Sequence, residues 1–183
     1  MDYSIERLDL ATDSLPPSFD TALSHWQGLR AGCRCPAWRD LDMMTLPLDI
    51  VPWCAVMDVV DGGEDYVFRF FGTARVRLQG RDYTRRSLFE FSAPDMIEKV
   101  IGELRAVMDS GAPQLFATKV RTDARRIPDM VYKSLRLSFA DADGEDVGTI
   151  MTLVDYPSVS RLLYDWFGME PPIDLIGGEF DDC

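Results

Sequence analysis

Apolar residues recur along this chain in two rhythms. Phe19, Ala22, Leu23, Trp26 and Leu29 return every three or four positions, the spacing that gathers side chains on one side of a helix. Ser18 stands at the N-cap position and Gly32 where such a helix stops. Residues 33–52 lose the rhythm and carry Pro36, Pro47 and Pro52, which predicts an extended connection with one helical turn over 42–45. Residues 53–60 and 66–71 are rich in β-prone residues and flank Asp61-Gly62-Gly63, a hairpin pattern. A turn centred near Gly63 sets Asp58 opposite Arg69, a register that a one-residue slip would destroy. The second strand ends on Gly72-Thr73 and passes into a short basic helix over 74–79, closed by Gly80.

After a loop over 81–91, Ser92-Ala93-Pro94-Asp95 reads as a capping box with proline in the first helical turn. Ile97, Val100, Ile101, Leu104, Val107 and Met108 form the clearest helical stripe of the chain, ended by Gly111 and Pro113. Three further strands follow, over 114–122, 131–139 and 147–154, the last two joined by a turn at Asp143-Gly144. In the second of them Val131, Leu135, Leu137 and Phe139 share one face, and Tyr132, Ser134, Arg136 and Ser138 the other. In the first, the apolar face is not decided by the pattern. Pro157-Ser158 opens a helix with Val159, Leu162, Leu163, Trp166 and Phe167 on one side, closed by Gly168. The expected division is a loosely packed arm over 1–17, a body with flanking helices over 18–168, and an acidic tail over 169–183. The body is an α+β fold in which two strands, a helical crossover and a three-strand meander make one antiparallel five-stranded sheet.

Composition alters this picture little, but charge does. A chain of 183 residues is long enough to bury a sizeable core. The net charge of −12 argues against nucleic acid as a partner. Residues 66–140 nevertheless hold fourteen Lys and Arg against eight Asp and Glu, so an acidic protein has a basic middle. Acidic ends folding over a basic sheet, or solvated faces that differ, account for this in the simplest way; a docked anion is the other reading. No apolar run approaches the length of a membrane span, and the first residues lack the features of a secretory signal, so a cytoplasmic protein without membrane insertion is expected. Cys33, Cys35, Cys54 and Cys183 are too unevenly spread for a disulfide framework, and Cys33-Arg34-Cys35 alone does not complete a zinc site.

The order of elements and a set of motifs together resemble the single-domain bacterial PAS family. The residues that carry the likeness are Trp26 with Leu29-Arg30, Pro36 with Arg39-Asp40-Leu41-Asp42, Arg69 with Gly72-Thr73, and Gly80-Arg81-Asp82 with Thr84. They run in the family's order over about residues 22–155. Arg85-Arg86 departs from the pattern where the family usually has glycine after the threonine. The resemblance implies a curved five-stranded sheet facing short helices, with a pocket between them that senses a small molecule or couples to a partner. It implies neither flavin nor haem: the flavin-type Asn-Cys-Arg context is missing, and the only histidine, His25, precedes the domain.

The chemistry-bearing residues point the same way. One histidine, no zinc-ligand cluster and no Gly-rich phosphate loop leave no usual catalytic set. The expectation is therefore a non-enzymatic sensory or regulatory protein acting on a separate signalling protein, with no cofactor. A ligand site is expected at Phe68, Arg69, Phe70, Gly72, Thr73, Arg75, Arg81 and Tyr83, aromatic walls with arginines to orient an acid or phosphate. The plainer alternative has the aromatics filling the core. Trp26, Leu29, Trp166 and Phe167 are expected to pair two copies as a homodimer, or else to cap the sheet. The competing reading is an enzyme or binding protein for a small anionic metabolite or nucleotide, with Asp58 or Asp82 as base.

Overall fold

The computed structural model describes residues 2–91, 94–121 and 130–155. The elements are strand β1 (Asp2–Leu8), helix α1 (Pro17–Arg30), strands β2 (Ala55–Val60) and β3 (Asp65–Phe71), helix α2 (Thr73–Gln79), helix α3 (Pro94–Ser110), and strands β4 (Gln114–Arg121), β5 (Met130–Ala140) and β6 (Val147–Val154). They form an α+β fold around one antiparallel sheet of order β1-β4-β5-β6-β2-β3. The last strand of the meander closes against the first strand of the hairpin, and the chain reaches β4 through α2 and α3.

The sheet has six strands where five were expected. The additional one, β1, belongs to the segment read as an arm, and it pairs with β4 from Asp2↔Arg121 to Leu8↔Leu115. Its sequence, DYSIERL, has no sustained alternation because only part of it is covered: Ile5 and Leu8 are half-buried between exposed Ser4, Glu6 and Arg7. The partner's free backbone groups, which no sequence pattern displays, hold it in place.

Both faces of the sheet are covered, and this explains the strands whose polarity did not alternate. In β4 every residue from Gln114 to Thr118 is buried, and in β5 every residue from Ser134 to Ala140. On the outer face α1 contributes Phe19, Ala22, Leu23 and Trp26 to the core, and Trp38 stands edge-on to Phe139 with centroids 5.2 Å apart. On the inner face lie α2, the 3-10 turn Leu88–Glu90 and α3. Helix α1 begins two residues earlier than an N-cap at Ser18 predicts: Pro16 is its N-cap and Pro17 its first residue, since a fixed φ and a missing N–H suit the first turn. The predicted turn over 42–45 is a 3-10 turn at Met43–Thr45, with the Asp42 side chain accepting from the Met44 N–H at 2.9 Å.

Hairpin β2–β3 is present, but its register differs from the expectation. Asp58 lies opposite Val67, and the ladder shifts between Val56↔Phe70 and Met57↔Phe68, leaving Arg69 as the extra residue of a bulge. The Asp58–Arg69 ion pair still forms, diagonally, with Nε 2.8 Å from Oδ1. The bulge also puts Phe68 and Phe71 on the same face, their rings 5.2 Å apart, although three residues separate them. At the strand's end, Gly72 is required by close approach: a Cβ there would sit 2.1 Å from the Pro52 carbonyl oxygen. Helix α2 starts directly after it and exits through Gly80, at φ 67°.

Candidate functional site

The inner face of the sheet has a polar centre. Gln114, Arg136, Thr152, Ala55 and Phe71 are consecutive neighbours across β4, β5, β6, β2 and β3, and Thr118 and Tyr132 pair four positions further along the β4–β5 ladder. Opposite this centre passes α3, and between them lies a cavity of about 70 Å³. Thr118, Tyr132, Ser134, Arg136 and Thr152 line its sheet side, and Lys99 and Glu103 its helix side. Phe68, Leu88, Phe91, Ile97 and Val100 make the apolar remainder, and Arg75 and Gln79 of α2 complete the wall.

Arg136 and Glu103 are buried together, with side chains 5% and 4% exposed. Nε of Arg136 donates to Glu103 Oε2 at 2.6 Å, Nη2 lies 2.5 Å from the same oxygen, and Nη1 donates to Thr152 Oγ1 at 2.7 Å. An ion pair taken out of water recovers little net stability against the desolvation of its charges, and apolar residues of the same volume commonly do as well. Here the pair occupies the polar centre of the inner face, in the wall of a cavity. That arrangement can hold an anion: three cations, Arg75, Lys99 and Arg136, face the space against one carboxylate, with hydroxyl donors beside them.

The residues expected to bind a ligand divide into three groups. Phe68 and Arg75 line the cavity. Arg75 stacks over Phe71 at 5.0 Å, and its Nε and Nη1 are shielded from solvent. Arg69 lines a different space, an open groove of about 450 Å³ on the outer face, with Trp38, Asp58 and Thr149. There its guanidinium lies 5.7 Å from the Trp38 ring centroid, and Thr149 Oγ1 donates to Asp58 at 3.3 Å. Phe70, Gly72, Thr73, Arg81 and Tyr83 line neither space. Tyr83 instead stacks on Phe91 at 4.1 Å and meets Phe71 at 5.5 Å, so the aromatics largely pack on one another. Arg81 shares Glu90 with Arg86 on the surface, at 3.1 and 2.8 Å, and lies over the Tyr83 ring. The Arg86 hydrogen bond holds the Glu90 carboxyl below the usual range, and the Thr84 backbone N–H does the same for Asp82.

Trp26, expected on an interface, is 1% exposed and donates its Nε1–H to the Ser138 carbonyl at 2.7 Å, so it is part of the interior of its own chain. Leu29 beside it is half-buried. Trp166 and Phe167, their helix and the tail lie outside the described residues, as do Ser92 and Ala93 of the expected capping box. His25 Nε2 meets Thr45 Oγ1 at 3.0 Å and ties α1 to the connection. Cys35 and Cys54 are buried and Cys33 is exposed, and the described residues contain no group of His, Cys, Asp and Glu suited to a metal ion. Among them, too, no helix is long and apolar enough to cross a membrane.

Glu103, Arg136, Ser134, Thr118, Tyr132 and Thr152 were not among the expected site residues. A signal existed for two of them. Glu103 stands in line with Met96, Val100 and Val107 at helical spacing, and Arg136 interrupts a strand whose neighbours on both sides are leucines. Each looked like a solvated position because the second covering layer cannot be seen in one strand's pattern. No family model, curated protein or solved structure matches the chain.

Proposed function

We propose that this chain is a PAS-type sensory protein that binds a small anionic ligand in its inner-face cavity and regulates a separate signalling protein through its surface. Support for the PAS reading comes from the order of parts: a strand hairpin, a helical crossover, and a three-strand meander whose last strand returns to the hairpin's first. β1 is then an addition at the outer edge. The observation that carries the ligand reading is the buried Arg136–Glu103–Thr152 group in the wall of a cavity enclosed between sheet and crossover. A core built only for stability has no need of an arginine there. Ligand occupancy acts by favouring one packing of α3 on the sheet, and a partner reads the surface that results.

The enzymatic alternative lacks comparable support. Asp58 faces the outer groove in an ion pair with Arg69 and accepts a hydrogen bond from Thr149, across the sheet from the cavity, and Asp82 is exposed.

Thermal unfolding of the purified protein in the presence of a panel of small carboxylates, inorganic anions and nucleotides tests the reading. A ligand at a hundred times its dissociation constant stabilises by about 2.7 kcal/mol, a shift of roughly 5–10 °C for a chain of this size. The expected result is such a shift with at least one anion in the wild type and none in Arg136→Met. No shift with any member of the panel would remove the ligand from the proposal and leave a structural adaptor.

A further inference from the structure

We infer that the cavity's ligand is a short-chain carboxylate which takes the place of Glu103 on Arg136, so that binding releases α3 from the sheet. This rests on the cavity being the ligand site. Arg136 already holds a carboxylate, with two of its nitrogens on one oxygen of Glu103 and the third on Thr152. The guanidinium there is a carboxylate site, and Glu103 fills it from within. The space beside the pair, about 70 Å³, is far below the roughly 300–1,000 Å³ of pockets for drug-sized molecules, so only a few heavy atoms fit. Its lining combines the hydroxyls of Ser134, Thr118 and Thr152 with the apolar side chains of Phe68, Leu88, Phe91 and Ile97. An acid head with a short aliphatic tail uses both kinds of wall, whereas a phosphate has no apolar part for the second.

The exchange brings one negative charge into the cavity wall and leaves both carboxylates within reach of a cation. An entering carboxylate satisfies Arg136, and the displaced Glu103 remains on the same helix face as Lys99, one turn earlier and in the same cavity wall, at the spacing that favours an ion pair. What the helix loses is its polar anchor to β5. The hydrogen bonds of Arg136 to Glu103 join the middle of α3 to the sheet, beside the apolar contacts of Ile97, Leu104 and Val107. A ligand that replaces the anchor therefore differs in affinity between the two packings of α3, which is the condition for it to shift their populations.

The experiment is calorimetric titration of the full chain with sodium propionate, against sodium chloride at matched ionic strength, for the wild type, Glu103→Gln and Glu103→Gln/Arg136→Met. Removal of the internal competitor is expected to tighten propionate binding by about tenfold or more, and the double variant is expected to bind none. In parallel, propionate is expected to increase amide hydrogen exchange along 96–107 of the wild-type helix while slowing it in β5 and β6. Equal propionate affinity in the wild type and Glu103→Gln overturns the exchange, and so does unchanged or increased protection of α3. The second measurement needs no variant and stands if Glu103→Gln fails to fold. Absence of propionate binding while another anion of the panel raises the melting temperature overturns this inference and spares the sensory reading. Absence of binding by every anion overturns both.

Discussion

Gly72 shows how much one missing Cβ decides. A methyl group there would approach the Pro52 carbonyl oxygen to 2.1 Å and the Cys54 oxygen to 2.9 Å, and both are backbone atoms that cannot step aside. Gly72→Ala is expected to cost about 2–4 kcal/mol in urea unfolding, the range of changes that force the backbone apart. Gly28 and Gly102 lie inside α1 and α3 with open space where a Cβ would be. Alanine at either is expected to stabilise by about 0.5–1 kcal/mol, since only helix propensity changes. Burial sets the chemistry of Cys35 and Cys54. Desolvation pushes Cys54 up to about 12 and raises Cys35 as well, despite Arg34 beside it. Burial favours the neutral thiol, so the stability this contributes is complete below the ordinary thiol value of 9.0 and is lost as pH rises towards the folded-state value. At neutral pH, Ellman's reagent is expected to titrate one thiol in the folded Cys183→Ser variant, that of Cys33, and three after unfolding.

Helix α3 has its last turn and its buried face both partnered from elsewhere in the chain. Its last turn carries no basic residue of its own. Arg34, from the connection after α1, donates Nη2 to the Met108 and Asp109 carbonyls at 2.8 and 2.9 Å, satisfying two of the groups a helix leaves open and placing a cation at its negative end. Arg34→Ala is expected to destabilise by about 1–2 kcal/mol, read by chemical unfolding, with the largest loss of amide protection in the last turn of α3. At the sheet's edge, β1 pairs with β4 from Leu115 to Arg121 through seven register pairs. Deletion of residues 2–8 would uncover the N–H and C=O groups of a long strand with buried, β-prone residues, and light scattering is expected to show self-association of the shortened chain. The hairpin was legible from WCAVMDVV and Asp61-Gly62-Gly63, but the bulge at Arg69 was not. Strict alternation assigns Phe68 and Phe71 to opposite faces, and only the cluster with Tyr83 and Phe91 on the inner face gives a reason to break it.

At the scale of the whole molecule, the fold is a sheet covered on two sides, and the fully buried Arg136–Glu103 ion pair sits where the inner cover meets it. Breaking that pair from one side leaves a charge without its counterion in a low-dielectric layer, and Arg136→Met alone is expected to cost about 3–5 kcal/mol. Glu103→Leu/Arg136→Met is expected to unfold within about 1 kcal/mol of the wild type, because both charges are gone and the volume is kept. A double-mutant cycle by urea unfolding measures the difference. A pair that cost as much to replace as to break would be there for stability, and the argument that it serves a ligand would fall with it.

What the order of residues determined by itself is the inventory of elements and most of their ends, because helix and strand periods, caps and turn residues act over a few positions. The stripe from Ile97 to Met108 became α3, the five strands after residue 52 appeared within two residues of their expected ends, and Gly72 and Gly80 bracketed α2. Tertiary structure alone decided which faces are covered, because a residue between leucines in a strand can meet water or a second layer and its own sequence is the same in both cases. So Arg136 and Glu103, distant in the chain and individually like surface residues, became the centre of the site, while Trp26 went inside. The same holds for β1: an edge strand is recruited by the unpaired backbone of its neighbour, and backbone hydrogen bonds leave no trace in side-chain order.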